Sequence, residues 1–313
     1  MAQLPPNIYE QQAANKRNTI IIMAVFTVFV GFLGFGVDAF VLGTEVPIAT
    51  LIALCIGAGT AYWGLNSGAG AVLGSSSAQP VPPNDPKYQQ LRNVVDEMTI
   101  ASGLPRPQLF VIPDPDPNAF AIGRDPEHAC IAVTEGLVEK LTREELQAVI
   151  AHEMSHVRNY DIRMMTVVAA LAGAVMLLSE FGLRATRFGG GRRRDKSGLG
   201  PIVLVLWLVA MILAPLITRL LSMAVSRQRE YLADASGAEL TRNPSALASA
   251  LEKIDAATEP TRAIKKGTAH LCIADPLGRN VNSKEGSIAD LFGTHPPIRK
   301  RIMLLKGMAY QTA

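Results

Sequence analysis

The chain has 313 residues, 49% of them hydrophobic and only 18% charged, with a formal net charge of +3 and a mean hydropathy of +0.21. A soluble domain usually carries about 25% charged residues, so this composition excludes disorder, a coiled coil and a fibrous repeat, and argues against an ordinary soluble enzyme. The basic excess is mild and its only dense run is Arg192–Arg194, which is no basic surface of the kind that binds nucleic acid.

Residues 1–18 form a polar tail that carries Lys16 and Arg17. Asn18 to Val37 holds no charge, and Val46 opens a second uncharged stretch that lasts to Asp85, with Val46 to Leu65 as its apolar part. Spanning a hydrocarbon core takes about 20 apolar residues in a helix, so both runs are expected to cross a membrane as a hairpin over 19–73. Gly31, Gly34 and Gly36 would let a second helix approach closely. No small-x-small cleavage site follows the first run, which therefore reads as an uncleaved anchor.

A Ser/Pro/Gly linker over 74–87 leads into a soluble domain whose first half is 88–162. Leu91, Val94, Val95 and Met98 have helical spacing. Gln108–Ile112 and Ala129–Val133 read as strands on either side of a Pro/Asp turn region. Thr142 and Glu145 form a capping-box pattern, opening a helix expected to run through His156 into a third apolar run. That run, Met164–Ser179, has 16 uncharged residues between Arg163 and Glu180, or about 24 Å of helix against a core of about 30 Å. It crosses only if Arg163 snorkels or Glu180 sits at the far interface; otherwise it dips into the membrane or packs under protein. A fourth run, Ser197–Thr218, has 22 uncharged residues and is long enough to span. The two runs make a hydrophobic hairpin over 163–218. A second half-domain follows over 219–313, with a helix from roughly 200 to 240 and another over 244–258.

Lys16 and Arg17 before the first run, and Lys87 and Arg92 after the second, place the amino terminus and the soluble domain on the cytoplasmic side by the positive-inside rule. The loop between runs three and four conflicts with this, since it carries Arg184, Arg187, Arg192–Arg194 and Lys196 where a full hairpin would put it outside. Three cysteines, Cys55, Cys130 and Cys272, are widely spaced with no CxxC pair, which fits a reducing compartment.

The chemistry is concentrated in His152-Glu153-Met154-Ser155-His156. Two histidines four apart stand above one another on a helix, about 5–6 Å between Cβ atoms, which suits joint ligation of one zinc. Glu153 can then act as general base on the water that zinc acidifies. Such a site needs a third protein ligand. Glu230 is the candidate, and Asp234, one helical turn on, could accept the outer N–H of a ligating histidine.

With these residues the chain resembles the HtpX-type integral-membrane zinc proteases of the M48 family, over nearly its whole length. The similar parts are the two early runs, HEMSH, the hydrophobic hairpin, Arg229-Glu230-Tyr231-Leu232-Ala233-Asp234, Asn118-Ala119-Phe120, and Thr294-His295-Pro296-Pro297 followed by Arg301. The resemblance implies a mainly α membrane protein with three to four transmembrane helices and a cytoplasmic, zincin-like α+β protease domain interrupted by a hydrophobic hairpin. It implies one Zn2+ per chain on His152, His156 and Glu230, with Glu153 as base. It also implies that Asn118, Ala119 and Phe120 lie on a strand edge that pairs with an extended substrate, and that His295 stabilises the developing oxyanion. The expected substrates are misfolded or unassembled membrane proteins or peptides, met at the bilayer, in the cytoplasmic (inner) membrane of a bacterium. Two alternatives stand beside this reading: a CAAX prenyl endopeptidase, which shares the metal motif, and a non-catalytic membrane adaptor. His128 reads as a surface residue, and His270 carries no assigned role.

Overall fold

The structure is a computed structural model that describes residues 8–39, 46–171, 227–257, 261–264, 268–274 and 296–311. Helices α1 (Ile8–Val37) and α2 (Ile48–Ser75) lie side by side, and both are long and apolar enough to cross a membrane. Small residues set their spacing: a Cβ at Gly34 would meet Ala53 Cβ at 2.5 Å and the Ala49 carbonyl at 2.7 Å. Without strong apolar driving force in lipid, close backbone approach is what holds such a pair. Asp38, the acidic residue after the first run, serves as a cap. Its carboxylate accepts the N–H groups of Ala49 (2.8 Å) and Thr50 (2.7 Å), amides that have no partner within the first turn of α2. Ile20, Val28, Leu51 and Ile56 point outward, each more than half exposed, as a lipid-facing surface requires.

At 1.5 Å per residue α1 is about 45 Å long, well beyond a hydrocarbon core of about 30 Å. Its polar first turns therefore project past the apolar part and reach the soluble unit.

That unit is built on a four-stranded sheet of β1 (Gln79–Pro80), β2 (Gln108–Ile112), β3 (Ala119–Ile122) and β4 (Cys130–Thr134), in the order β1-β2-β4-β3. β2 and β4 are parallel, pairing Gln108 with Cys130; β3 runs antiparallel to β4, with Phe120 opposite Ala132. The stretch read as linker contributes β1. β3 escaped the periodicity reading because all four of its residues are buried and three prolines precede it, so it has no alternation.

Five described helices pack with the sheet: α3 (Gln89–Ser102), α5 (Arg143–Arg158), α6 (Arg227–Thr241), α7 (Pro244–Asp255) and α8 (Ile298–Gln311), with a short α4 (Glu135–Lys140) after β4. The core runs between α3, α5, α7 and one face of the sheet. Leu146, Val149, Ile150 and Val157 of α5 are fully buried in it, each contributing about 1.5–3 kcal/mol of transfer free energy.

One expectation is corrected. The histidine-bearing helix does not continue unbroken into the third apolar run. It ends at Arg158, Asn159 caps it, and Tyr160 adopts a left-handed φ of 60° before a helical stretch over 161–171. An unbroken helix would turn residue 161 well away from His156; the break brings it alongside. Residues 161–171 are almost wholly buried and lie against α2, where a Cβ on Gly64 would meet Ala170 Cβ at 3.1 Å. The rest of the third run and all of the fourth lie outside the described residues.

Candidate active site

The amino terminus of α5 is fixed by reciprocal bonds: Glu145 N–H donates to Thr142 Oγ1 at 3.3 Å and Thr142 N–H to Glu145 Oε2 at 2.7 Å. Glu145 also takes Lys253 Nζ (2.7 Å) and Ser249 Oγ (2.6 Å), which ties α7 to the same turn. Burial pushes its carboxyl up, but these donors outweigh that and hold it below the ordinary glutamate range. Three turns on, the anchored helix presents His152 and His156 on one buried face.

Glu230, Asp234 and Gly237 follow at i, i+4 and i+7 along α6, so they share a face. Gly237 lets that face close on α5, because a Cβ there would lie 3.0 Å from His152 N and 3.2 Å from His152 Cα. The close crossing brings the acidic pair onto the histidines.

His152 Nε2 and His156 Nε2 are 3.3 Å apart, and Glu230 lies 3.7 Å from the first (Oε2) and 3.6 Å from the second (Oε1). Ligands arranged tetrahedrally around a zinc at about 2.0–2.1 Å stand about 3.3 Å apart, so the spacing fits an ion of that size with little adjustment. The outer nitrogens face carboxylates: His152 Nδ1 is 3.0 Å from Asp234 Oδ1, and His156 Nδ1 is 3.0 Å from Asp161 Oδ2. With the ring protons on those sides, both Nε2 lone pairs and a carboxylate converge on one point, an arrangement that could hold a metal cation.

The charge balance agrees. Among the described residues, Glu153, Asp161, Glu230 and Asp234 put four carboxylates around this point, against the two guanidiniums of Arg229 and Arg301, a balance of two negative charges in a buried region. A divalent ion cancels them. Without one, protons substitute. Burial pushes the Glu153 carboxyl up, aided by Glu230 and opposed by the two histidines. For His156 burial works against the charged form, yet the hydrogen bond to Asp161 and the nearby Glu230 prevail, and its pKa is pushed up to about 9.

Arg301 completes the cage from α8. It is 1% exposed and grips Asp234 with two bonds, Nε–Oδ2 at 2.8 Å and Nη2–Oδ1 at 2.7 Å; Nη1 donates to Ile273 O at 2.7 Å and lies 3.3 Å from Glu230 Oε2. Sequence reading noted Arg301 only as part of a resemblance. It missed Asp161 and Gly237: the first is displayed by the break after Asn159, and the second was legible only as a small residue three positions beyond Asp234.

Glu153 is 1% exposed, and its Oε1 has no partner among the described residues. A backbone bond from Ala121 on β3 reaches the same carboxylate. Thus the edge strand of the sheet flanks the general-base candidate. Asn118 and Phe120 sit there differently from a free docking edge. Asn118 is fully buried; its N–H donates to Thr134 Oγ1 (2.8 Å) and its Nδ2 to Ala274 O (2.9 Å), so its side chain locks the strand start. Phe120 packs into the core beside Ile112 and Met165. Ala119 O accepts Ile273 N–H at 2.9 Å. His295 lies outside the described residues, and His270 is buried in a short 3-10 turn next to Cys272.

The sequence pattern of peptidase family M48 matches residues 86–309, which take in every residue of this cage. The chain belongs to that family. Proteins named Protease HtpX homolog are similar throughout: one from Caldanaerobacter subterraneus is 43% identical over 96% of this chain and 98% of its own, and one from Ligilactobacillus salivarius is 41% identical over 96% and 100%. The crystal structure of Ste24p from S. mikatae superposes with a TM-score of 0.51 at 15% identity, covering 95% of this chain and 66% of that one, a likeness of fold. The M48 chain described here is thus a membrane metallopeptidase, a hydrolase whose ligand cage is set at the root of a two-helix apolar hairpin.

Proposed function

We propose that this M48 protease is a zinc-dependent endopeptidase that cleaves misfolded or unassembled membrane proteins at the cytoplasmic face of a bacterial inner membrane. The observation that carries the proposal is the convergence of His152, His156 and Glu230, whose donor atoms all lie within 4.8 Å of one another beside the buried carboxylate of Glu153. His152, His156 and Glu230 are assigned as ligands, Asp234 and Asp161 as the carboxylates that orient the two imidazoles, and Glu153 as general base. Bound at these ligands, zinc supplies Lewis acidity to water and to the scissile carbonyl. Glu153 takes the proton from the attacking water at its unpartnered Oε1, and hands it to the amide nitrogen as the C–N bond breaks, leaving a carboxylate and an amine.

The α1–α2 hairpin supports placement at the bilayer, and the contact between the first turns of α1 and the end of α5 supports placing the amino terminus and the cage on one side. Lys16, Arg17, Lys87 and Arg92 favour the cytoplasmic side for both. A protease unit of 88–162 and 219–313, interrupted by a hairpin over 163–218, follows from the same reading; cysteine labelling near Gly189 distinguishes a spanning hairpin from a dipping one. Asn118, Ala119 and Phe120 are carried as the substrate-pairing segment, and pairing at Ala119 would have to displace its bond from Ile273 N–H. His295 is carried as the oxyanion donor. Replacing Glu153 with Gln tests the core of the proposal, with zinc retained and cleavage of a membrane substrate lost. Cleavage that survived the change would sink it, and a scaffold without catalysis would show no activity in either form.

A further inference from the structure

We infer that Asn15, on the first helix, is a positioning residue for His156, acting through Asp161, so that the membrane anchor forms part of the metal site. The inference rests on the assignment of His156 as a ligand.

Asn15 is buried, near the start of the projecting end of α1. Its Nδ2 donates to Asn159 O at 2.8 Å and to Asp161 Oδ1 at 2.7 Å. Both neighbours are acceptors, which fixes the amide orientation and uses both of its N–H groups. Each acceptor matters to the cage. Asn159 caps α5, where the last carbonyls lack partners inside the helix. Asp161 holds His156 Nδ1 with its other oxygen, Oδ2, at 3.0 Å. Among the described residues Asp161 Oδ1 is also approached by Arg229 Nε, at a longer 3.4 Å. Removing the Asn15 amide therefore frees Asp161 to rotate, and with it the imidazole that should face the metal. Outer partners of ligating histidines commonly carry 10–100-fold in metal affinity.

Two other contacts dock the same end of α1 without touching Asp161. Gln12 Nε2 donates to Arg158 O at 2.8 Å, and Lys16 Nζ sits 4.0 Å over the Tyr160 ring. They separate positioning from plain attachment. A tether needs only contacts of the Gln12 and Lys16 kind; Asn15 instead satisfies the carboxylate that orients a ligand.

The test uses the full chain in detergent micelles. Zn2+ affinity is read by competition with a chromophoric chelator, and ligand geometry by the d–d absorption of the Co2+-loaded protein. Asn15→Ala is expected to weaken Zn2+ binding about 10-fold and to shift the Co2+ bands, whereas Gln12→Ala and Lys16→Ala leave both as in the wild type. Asn15→Ser, which keeps one donor for the two acceptors, should shift both in the same direction by less, and stands in if the alanine variant does not fold. Wild-type affinity and an unchanged Co2+ spectrum in the Asn15 variants would overturn the inference. So would equal weakening by all three alanine variants, which would make α1 a tether only. His156→Ala reports on the underlying assignment: if it binds Zn2+ as the wild type does, the ligand set itself is wrong and the inference falls with it.

Discussion

Replacing Arg301 with Gln removes the cation that neutralises Asp234. Four polar contacts go at once: two to Asp234, at 2.8 and 2.7 Å, one to Ile273 O at 2.7 Å, and the 3.3 Å approach to Glu230. A glutamine amide can replace one of them. The carboxylates left behind are almost fully buried, and removing one partner of a buried ion pair costs about 3–5 kcal/mol, a large part of the 5–15 kcal/mol that typically holds a domain together. The loss should be larger in metal-stripped protein than in metal-loaded protein, because the ion carries part of the compensating charge. The pH dependence has a definite sign. Burial pushes the Asp234 carboxyl up, but Arg301 and His152 hold it below its ordinary 3.8, so its contribution to stability is present above that pH and lost as pH falls below it. Without Arg301 the folded-state value rises, and the acid limb of the stability curve should move to higher pH. Unfolding in detergent, followed across pH with and without metal, measures both effects. The double variant R301Q/D234N should recover part of the loss, since the uncompensated charge is then gone. A cost below about 1 kcal/mol for R301Q, or fully additive costs in the double variant, would refute the buried clamp.

Metal loading should be proton-linked. His156 is protonated in the metal-free cage up to about pH 9, against 6.5 in an unfolded chain, so Zn2+ binding between those values should release about one proton or more, with affinity falling as pH is lowered. Calorimetry in buffers of different ionisation enthalpy counts the protons. In the metal-free protein the same group lends stability that is complete below pH 6.5 and is lost as pH rises through about 9. Glycine substitutions should divide by site: Gly307→Ala on α8, with open space around it, gains up to about 1 kcal/mol of helix propensity, whereas Gly237→Ala loses about 1–3 kcal/mol by forcing α6 away from His152. Gly237→Ala should also weaken metal binding; chelator competition checks this, and stabilisation with unchanged affinity would show that the crossing can relax.

The candidate ligands are legible because a helix encodes them locally. HEMSH and Glu230–Asp234 each put two functional groups one turn apart, and periodicity alone places them on a common face. Thr142 and Glu145 were legible for the same reason, as a cap written within four residues. What was not legible depends on long-range closure. Asp161 reaches His156 only because Tyr160 turns left-handed, a conformation that a tyrosine does not announce. Arg301 finds Asp234 across 67 positions, and Asn15 finds Asp161 across 146. β3 is hidden by complete burial, which removes the alternation that marks a half-buried strand.

The break at 159–160 also sets the apolar helices α1 and α2 against the candidate metal site. The stretch that begins at Asp161 continues as a buried helix against α2, where Gly68 admits Thr166 Cγ2 at 3.2 Å from the position of a Cβ. Thr166 in turn accepts the N–H of Gly123, the residue after β3, at 3.0 Å. Gly123 has φ 146° and a Cβ there would lie 2.5 Å from His128 O, so only glycine lets the strand end turn in this way. One short run of chain therefore touches the first helix through Asp161, the second through Thr166 and Ala170, and the edge strand through Gly123. The same run thus links α1 to His156 through Asp161, and α2 to the β3 edge beside Glu153 through Thr166 and Gly123. The hydrophobic excess of the sequence does more than anchor the enzyme. It supplies walls against which Asp161, beside His156, and the β3 edge, beside Glu153, are set.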